Sequence, residues 1–412
     1  MTPPGGAPAD PASDATRPPT GDPSPDPPVG PGPSLADVLP SVATSLGVPR
    51  QGGEAPASGG EEPASGGFLM PPARRAVVVL VDGLGHDLLV RRAGHAPWLR
   101  AHLGTTRRVA SGFPSTTATS MGTFGTGLAA GAHGLLGYEV LVPGADRLLN
   151  ELSWEDGPDP RTWQPHETVF EAVARAGVEV VRVGPAFFDG SGLTNAAVRG
   201  GRFVAAESLA ARVDATVAAV RSAPRALVHL YWGDLDKVGH VHGCESWQWG
   251  DELESIDREL GRLAALLPPD CSLTVTADHG MVDAPHELRL DVAHEPVLAA
   301  GVRHVSGEAR APQLYVEAGA ADDVRAAWAE VLGDRALVHR RDEAVGAGWF
   351  GTVLPENLPR IGDVVVAMRG RFAVVDSRRA RPELLALVGL HGSLSDDEVA
   401  VPVVHVPPAV VA

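Results

Sequence analysis

The chain has 412 residues, 44% of them hydrophobic, which is enough for one large or two ordinary domains with a sizeable core. Its formal net charge is −17 and no basic stripe interrupts the acidic background. That argues against a nucleic-acid polymer or an anionic membrane as partner, but it admits a small anionic substrate wherever bound cations reverse the local field. No basic stretch followed by an apolar one opens the chain, and nowhere do 18 apolar residues run uninterrupted, so a soluble, cytoplasmic protein is expected.

Prolines crowd the first 40 residues in runs such as "PPTGDPSPDPPVGPGP", which hold almost nothing to bury; residues 1–33 read as a disordered tail. "SLADVLPSVATSLG" (34–47) then spaces Leu and Val as a helix does and is expected to pack back on the main domain. "QGGEAPASGGEEPASGG" reads as a flexible linker that completes a 34–67 segment, and the catalytic domain spans 68–412.

Beyond it come short apolar runs stopped by polar residues: "AVVVLVDGLG" (76–85), "VEVVRVGP" (178–185), "ALVHLYWGDLD" (226–236) and "SLTVTADHGM" (272–281). Runs of this kind suit strands covered on both faces, as in parallel sheets. Helix-like stretches separate them; in "DELESIDRELGRLAALL", Leu253, Ile256, Leu260 and Leu263 fall on one face. The alternation predicts an α/β fold with a mostly parallel central sheet flanked by helices. Towards the C-terminus, "PQLYVEA", "DVVVAM" and "RFAVVD" read as an antiparallel hairpin and edge strands, and "DDVRAAWAEVLG" as a surface helix.

Ligands of such sheets bind beyond the carboxyl ends of the strands, and three of these runs end there in acid. Asp82 follows the first, Asp234 and Asp236 the third, and Asp278 with His279 the fourth. A lone Asp in that place starts a turn or caps a helix, but three together, one beside a His, point to a metal site. Asp236 and His240 stand four apart, so one helical turn presents both to one cation, while Asp234 and His242 are expected to be solvated or to support the ligands from behind. Mixed Asp and His ligation without Cys points to Zn2+ or Mn2+. Asp82, Asp278 and His279 then serve one metal, and the other needs a further His, for which the glycine-flanked His391 of "GLHGSL" is available. His86, His95 and His102 read as surface or satisfied histidines; His286, His294 and His304 read as solvated loop positions that could otherwise line the cleft. Cys271 is expected in a buried strand, and neither it nor Cys244 reads as a nucleophile.

"FPSTTATSMGTFGTG" (113–127) carries seven hydroxyls and no charge. Alone it reads first as a Ser/Thr-rich turn with capping hydroxyls and no chemistry. Opposite two cations it reads as a helix N-terminus whose free N–H groups stabilise a Thr alkoxide and a bound phosphate.

The set "VDGLG", "FPSTTATSMGTFGTG", "GAHGLLGY", "DLDKVGHVHG", "TADHGM" and "LHG", in this order, resembles the type I phosphodiesterase / nucleotide pyrophosphatase branch of the alkaline phosphatase superfamily. The resemblance covers about residues 74–300 well and His391 with the C-terminal strands more thinly. It implies an alkaline phosphatase-like core and two divalent metal ions, Zn2+ before Mn2+. One would be held by Asp82, Thr117, Asp278 and His279, the other by Asp236, His240 and His391. It also implies Thr117 as nucleophile, with Thr116 next in line, a covalent phospho-threonine, and hydrolysis of a phosphodiester or pyrophosphate bond in a small phosphate ester, a nucleotide among the options. Nucleotide-binding members place an aromatic just after the nucleophile and an Asn three residues after it. Here Ala118 and Ser120 stand there, so the aromatic platform has to come from elsewhere, with Phe187, Phe188, Trp232 and Trp247 available. Phosphonate hydrolase, phosphomonoesterase and a non-catalytic metal-binding relative are the alternatives. The sulfatase C/S-x-P-x-R motif is missing, and no basic sugar-phosphate pocket of the mutase kind is evident.

Overall fold

The computed structural model describes residues 32–50 and 67–410. Residues 1–31 of the expected tail and 51–66 of the expected linker lie outside the described residues. The helix between them is Leu35–Ser45, started by a capping box in which Ser34 and Asp37 satisfy each other's backbone N–H groups. Leu35, Val38, Leu39 and Val42 of this helix are fully buried. It packs on the helix Thr117–Thr126, where Gly127 leaves room for Pro40: a Cβ at Gly127 would lie 2.8 Å from the proline ring.

The central sheet has seven strands in the order Arg107–Ala110, Ala400–Val406, Cys271–Thr276, Arg75–Val81, Ala226–Trp232, Glu179–Gly184, Arg202–Ala205. The last five named run parallel; Ala400–Val406 is antiparallel to both of its neighbours. Arg75–Val81 is apolar beyond its first residue, Cys271–Thr276 mixes apolar residues with the small hydroxyls of Ser272, Thr274 and Thr276, and both strands are buried on both faces. Helices flank the sheet. Leu209–Arg221 lies across three of the parallel strands, and Trp247–Leu266 packs beside it and buries Leu253, Ile256, Leu260 and Leu263.

A second sheet, ordered Val302–Glu308, Ala311–Val316, Val364–Met368, Ala336–Arg340, is antiparallel throughout. Here the structure departs from the sequence reading. "DVVVAM" is an inner strand, and "RFAVVD" does not pair with it: Ala373–Val375 runs parallel to Arg289–Asp291. The reason lies in its two faces, since Val364, Val366 and Met368 join a cluster with Trp328 while Val365 and Ala367 join the main core. The expected surface helix, Ala321–Leu332, accordingly buries Val324, Trp328 and Leu332 against this sheet. The hairpin closes at Glu308 and Ala311. Just inside it Arg310, fully buried, donates to both carboxylate oxygens of the equally buried Glu398 at 2.8 and 2.6 Å.

Candidate active site

The three acid-ending strands are neighbours in the sheet and in register, with Val81 opposite Trp232 and Leu80 opposite Thr276. The ladder continues one residue further through Asp82 N–H to the Trp232 carbonyl, 2.8 Å. Their ends therefore deliver Asp82, the turn before Asp236, and Asp278–His279 to one spot. The helix Asp234–His242 starts at once after its strand and puts Asp236 and His240 on one face, His240 Nε2 lying 3.2 Å from Asp236 Oδ2. Asp234 and His242 are exposed.

His391 arrives from the far end of the chain and is fixed by Ser115. The Ser115 carbonyl accepts from His391 Nδ1 (2.9 Å), the Ser115 hydroxyl donates to the Ser393 carbonyl (2.7 Å), and the Ser115 N–H donates to the Gly392 carbonyl (3.0 Å). His240 and His279 follow the same rule, with Nδ1 on the carbonyls of Gly389 (2.7 Å) and Gly280 (3.0 Å). A carbonyl only accepts, so all three rings carry their proton on Nδ1 and present a bare Nε2 to the centre. His279 Nε2 is 3.3 Å from Asp82 Oδ1 and 3.6 Å from Asp278 Oδ2, and His391 Nε2 is 3.9 Å from Asp236 Oδ1. Those three carboxylate oxygens are buried without a hydrogen-bond donor. Bare imidazole nitrogens converging on orphaned carboxylate oxygens are what divalent cations require, and the backbone carbonyls behind the rings are the usual support of metal-bound histidines. Two groups have ligand spacing, Asp236–His240–His391 and Asp82–Asp236–His279, so Asp236 faces both.

Before a cation binds, His240 Nε2 shares a proton with Asp236, which a metal ion would displace. Burial first, then repulsion from Asp278 and Asp236, pushes the Asp82 carboxyl well above its usual range. Burial also opposes charge on Asp236 and His240, but their mutual attraction outweighs it: Asp236 falls well below the usual range and His240 rises to about 9. Burial, followed by the neighbouring His279, holds His391 well below an ordinary histidine.

The hydroxyl segment is a helix start, as expected. Thr116 is the N-cap and Thr117 the first residue of Thr117–Thr126. Thr117 Oγ1 stands 3.2 Å from His279 Nε2, whereas the Thr116 hydroxyl donates to Glu308 and does not cap the helix. Ala118 and Ser120 are fully buried and offer no surface to a substrate. Of the four aromatics considered, Trp232 is buried and donates to Glu252 (2.7 Å), while Trp247 is largely exposed. Phe188 adjoins the site, its ring 5.2 Å from Tyr231, with the exposed Phe187 beside it.

Residues 76–394 match the family described as type I phosphodiesterase / nucleotide pyrophosphatase. The chain belongs to this family. No curated protein sequence matches it. Among solved structures, murine ectonucleotide pyrophosphatase / phosphodiesterase 5 is 19% identical with a TM-score of 0.63, over 80% of this chain and 87% of that one. An inactive variant of the murine protein in complex with AMP gives 0.65 at 19%, over 81% and 88%. Phosphonoacetate hydrolase from Sinorhizobium meliloti 1021, in complex with phosphonoacetate, gives 0.63 at 20%, over 82% and 91%. These likenesses establish the fold.

Two residues of this type I phosphodiesterase family chain at the site carried no legible signal. Tyr231 donates from its hydroxyl to Asp82 Oδ2. Glu308, last in its strand, reaches in from the second sheet, and burial pushes it up to about 7 against the hydrogen bond from Thr116. The remaining histidines are elsewhere. His86 pairs with Asp87 and His95 with Glu254, both at 2.7 Å, and His102 donates to the Trp98 carbonyl, 2.8 Å. His286 and His294 are exposed, and His304 sits in the hairpin, 2.6 Å from Asp146. Cys271 is buried in its strand; it and Cys244 are both free. Among the described residues no helix is long and apolar enough to cross a membrane.

Proposed function

We propose that the protein hydrolyses a phosphodiester or pyrophosphate bond of a small molecule, with Thr117 as nucleophile and two divalent cations, zinc in first place, at the paired clusters. Asp82, Asp278 and His279 serve one cation with Thr117 beside them, and Asp236, His240 and His391 serve the other. The observation that carries the reading is the Thr117 hydroxyl at a helix N-terminus, 3.2 Å from His279 Nε2 and opening onto orphaned carboxylate oxygens.

Thr117 Oγ1 gives up its proton to solvent water and attacks phosphorus, forming a new P–O bond while the leaving-group oxygen departs with the bonding pair. The first N–H groups of the helix have no intrahelical partner and face the phosphoryl oxygens, where charge develops. Water then attacks the phosphothreonine at phosphorus, and Thr117 is regenerated. The cations, when bound, supply Lewis acidity and lower the hydroxyl pKa. Ser115 keeps His391 in reach of Asp236, and Tyr231 keeps Asp82 oriented. Two buried, unpaired cysteines favour a reducing compartment, and we place the protein in the cytoplasm on that ground.

The test is metal analysis of purified protein beside hydrolysis of bis-p-nitrophenyl phosphate and p-nitrophenyl phosphate. We expect about two transition-metal ions per chain. We also expect preference for the diester, and a Thr117→Ala variant that keeps its metal and loses at least about a thousandfold in turnover. Metal without turnover of either ester would redirect the reading to phosphonate hydrolysis or a non-catalytic role, and no metal would end it.

A further inference from the structure

We propose that Glu308 selects the ester class, its negative charge admitting phosphodiesters, which carry one charge, and disfavouring phosphomonoesters, which carry two at neutral pH. The proposal rests on the phosphoryl-hydrolase reading above and goes on to name the substrate charge the site accepts.

Glu308 is held in place from three sides. Its backbone closes the hairpin opposite Ala311. Its side chain lies on Gly392, next to His391: a Cβ on Gly392 would stand 2.7 Å from Glu308 Cβ and 2.9 Å from Cγ, so only glycine, here with φ of 128°, leaves the space. One carboxylate oxygen takes the hydroxyl of Thr116, the residue before the nucleophile. Among the described residues no other donor reaches this carboxylate, and no Arg, Lys or His lies within ion-pair distance of it. The charged groups that act on it through space are His240, His279 and Asp236. A half-buried carboxylate with one neutral donor and no counter-ion is costly unless bound cations offset it, and such cations in turn keep it ionised.

Charge counting gives the consequence. Two divalent cations bring four positive charges; Asp82, Asp236, Asp278 and Glu308 bring four negative ones. A monoanionic diester enters a neutral centre, whereas a dianion adds twice the charge with no surplus of positive field to receive it. Without Glu308 the centre would keep one positive charge in excess, and the dianion would gain the more from it.

The experiment uses the metal-loaded full chain as wild type, Glu308→Gln and Glu308→Asp. Calorimetry at pH 8 reads the affinity for inorganic phosphate, mostly a dianion there, and for dimethyl phosphate, a monoanion. Neutralising Glu308 is expected to tighten phosphate by at least about tenfold while dimethyl phosphate changes much less, and to raise the monoester-to-diester ratio of kcat/KM by a similar factor. Glu308→Asp keeps the charge and should keep the wild-type order. Phosphate binding unchanged or weakened in Glu308→Gln overturns the proposal, as does the same tightening in Glu308→Asp. If the glutamine variant does not fold, Glu308→Ala is neutral as well and is judged by the same criterion. Should wild type turn over neither ester, the hydrolase reading falls, while the phosphate titration still decides the role of Glu308.

Discussion

Three histidines share one device: a backbone carbonyl takes Nδ1–H, and Nε2 is left bare towards the carboxylates. Sequence spacing found the residue types, because Asp236 and His240 sit four apart on a helix and Asp278–His279 ends a strand. It could not find what orients them, because the Ser115–His391 bond spans a sequence separation of 276 and leaves no local trace. Tyr231 was hidden for a different reason. In "ALVHLYW" it reads as one more strand residue, and only the register against Leu80 brings its hydroxyl to Asp82 two residues further on. The bond gives a prediction at this scale. Tyr231→Phe leaves Asp82 free to rotate, and loss of such a supporting bond typically costs about 10–100-fold in metal affinity or turnover. Competition with a coloured chelator should show weaker metal binding in the variant, with the thermal midpoint of the metal-free protein little changed. Equal metal affinity would mean that the strand ends hold Asp82 without help.

Elements meet at the site through close backbone contacts that only glycine permits. Gly280 follows His279; a Cβ there would lie 2.0 Å from the Asp397 carbonyl oxygen and 2.9 Å from Gly85 Cα. The Gly280 N–H also donates to the Glu398 carbonyl at 2.7 Å. The turns after two central strands are thus pressed against each other and against the short helix Asp396–Val399. Gly280→Ala should cost about 2 kcal/mol or more by overpacking, read as a lower midpoint in urea, and should weaken metal binding because His279 moves with its neighbour. Unchanged stability and affinity would show that the turn gives way freely. The strands and the long helix were legible because burial on two faces, or on one, writes itself into the hydrophobic pattern. The second sheet was legible only as strands. Its pairing was not, because the continuous apolar run of Val364–Met368 states that both faces are covered without stating by which neighbours.

Across the whole molecule, residues that the chain places far apart are buried together, and that makes stability depend on pH. His133 is fully buried. Its Nδ1 accepts from Leu135 N–H (3.1 Å), so its proton sits on Nε2 and is offered to the Thr123 hydroxyl, 3.0 Å away. Protonating Nδ1 would set it against that N–H, and burial already lowers the ring to about 3, with the charges of His166 and Arg360 acting the same way. His229, packed between Phe124 and Phe170, is lowered to about 4, again chiefly by burial. The folded chain therefore binds fewer protons at these rings than the unfolded chain, and their contribution, complete above the unfolded value of 6.5, is lost as pH falls towards the folded values. Between pH 7.5 and 5 each ring costs about 2 kcal/mol, a figure set by the unfolded pKa because both folded values lie below that window. Glu151, raised to about 7 by burial, acts in the opposite sense, since the folded state then binds its proton more readily. Because several groups titrate together, the single ring is isolated by difference. Urea unfolding of wild type and His133→Gln at both pH values should show the variant less stable at 7.5 but losing about 2 kcal/mol less on acidification. Parallel losses in the two proteins would mean that His133 is protonated in the folded state, and that the Leu135 bond does not hold it neutral.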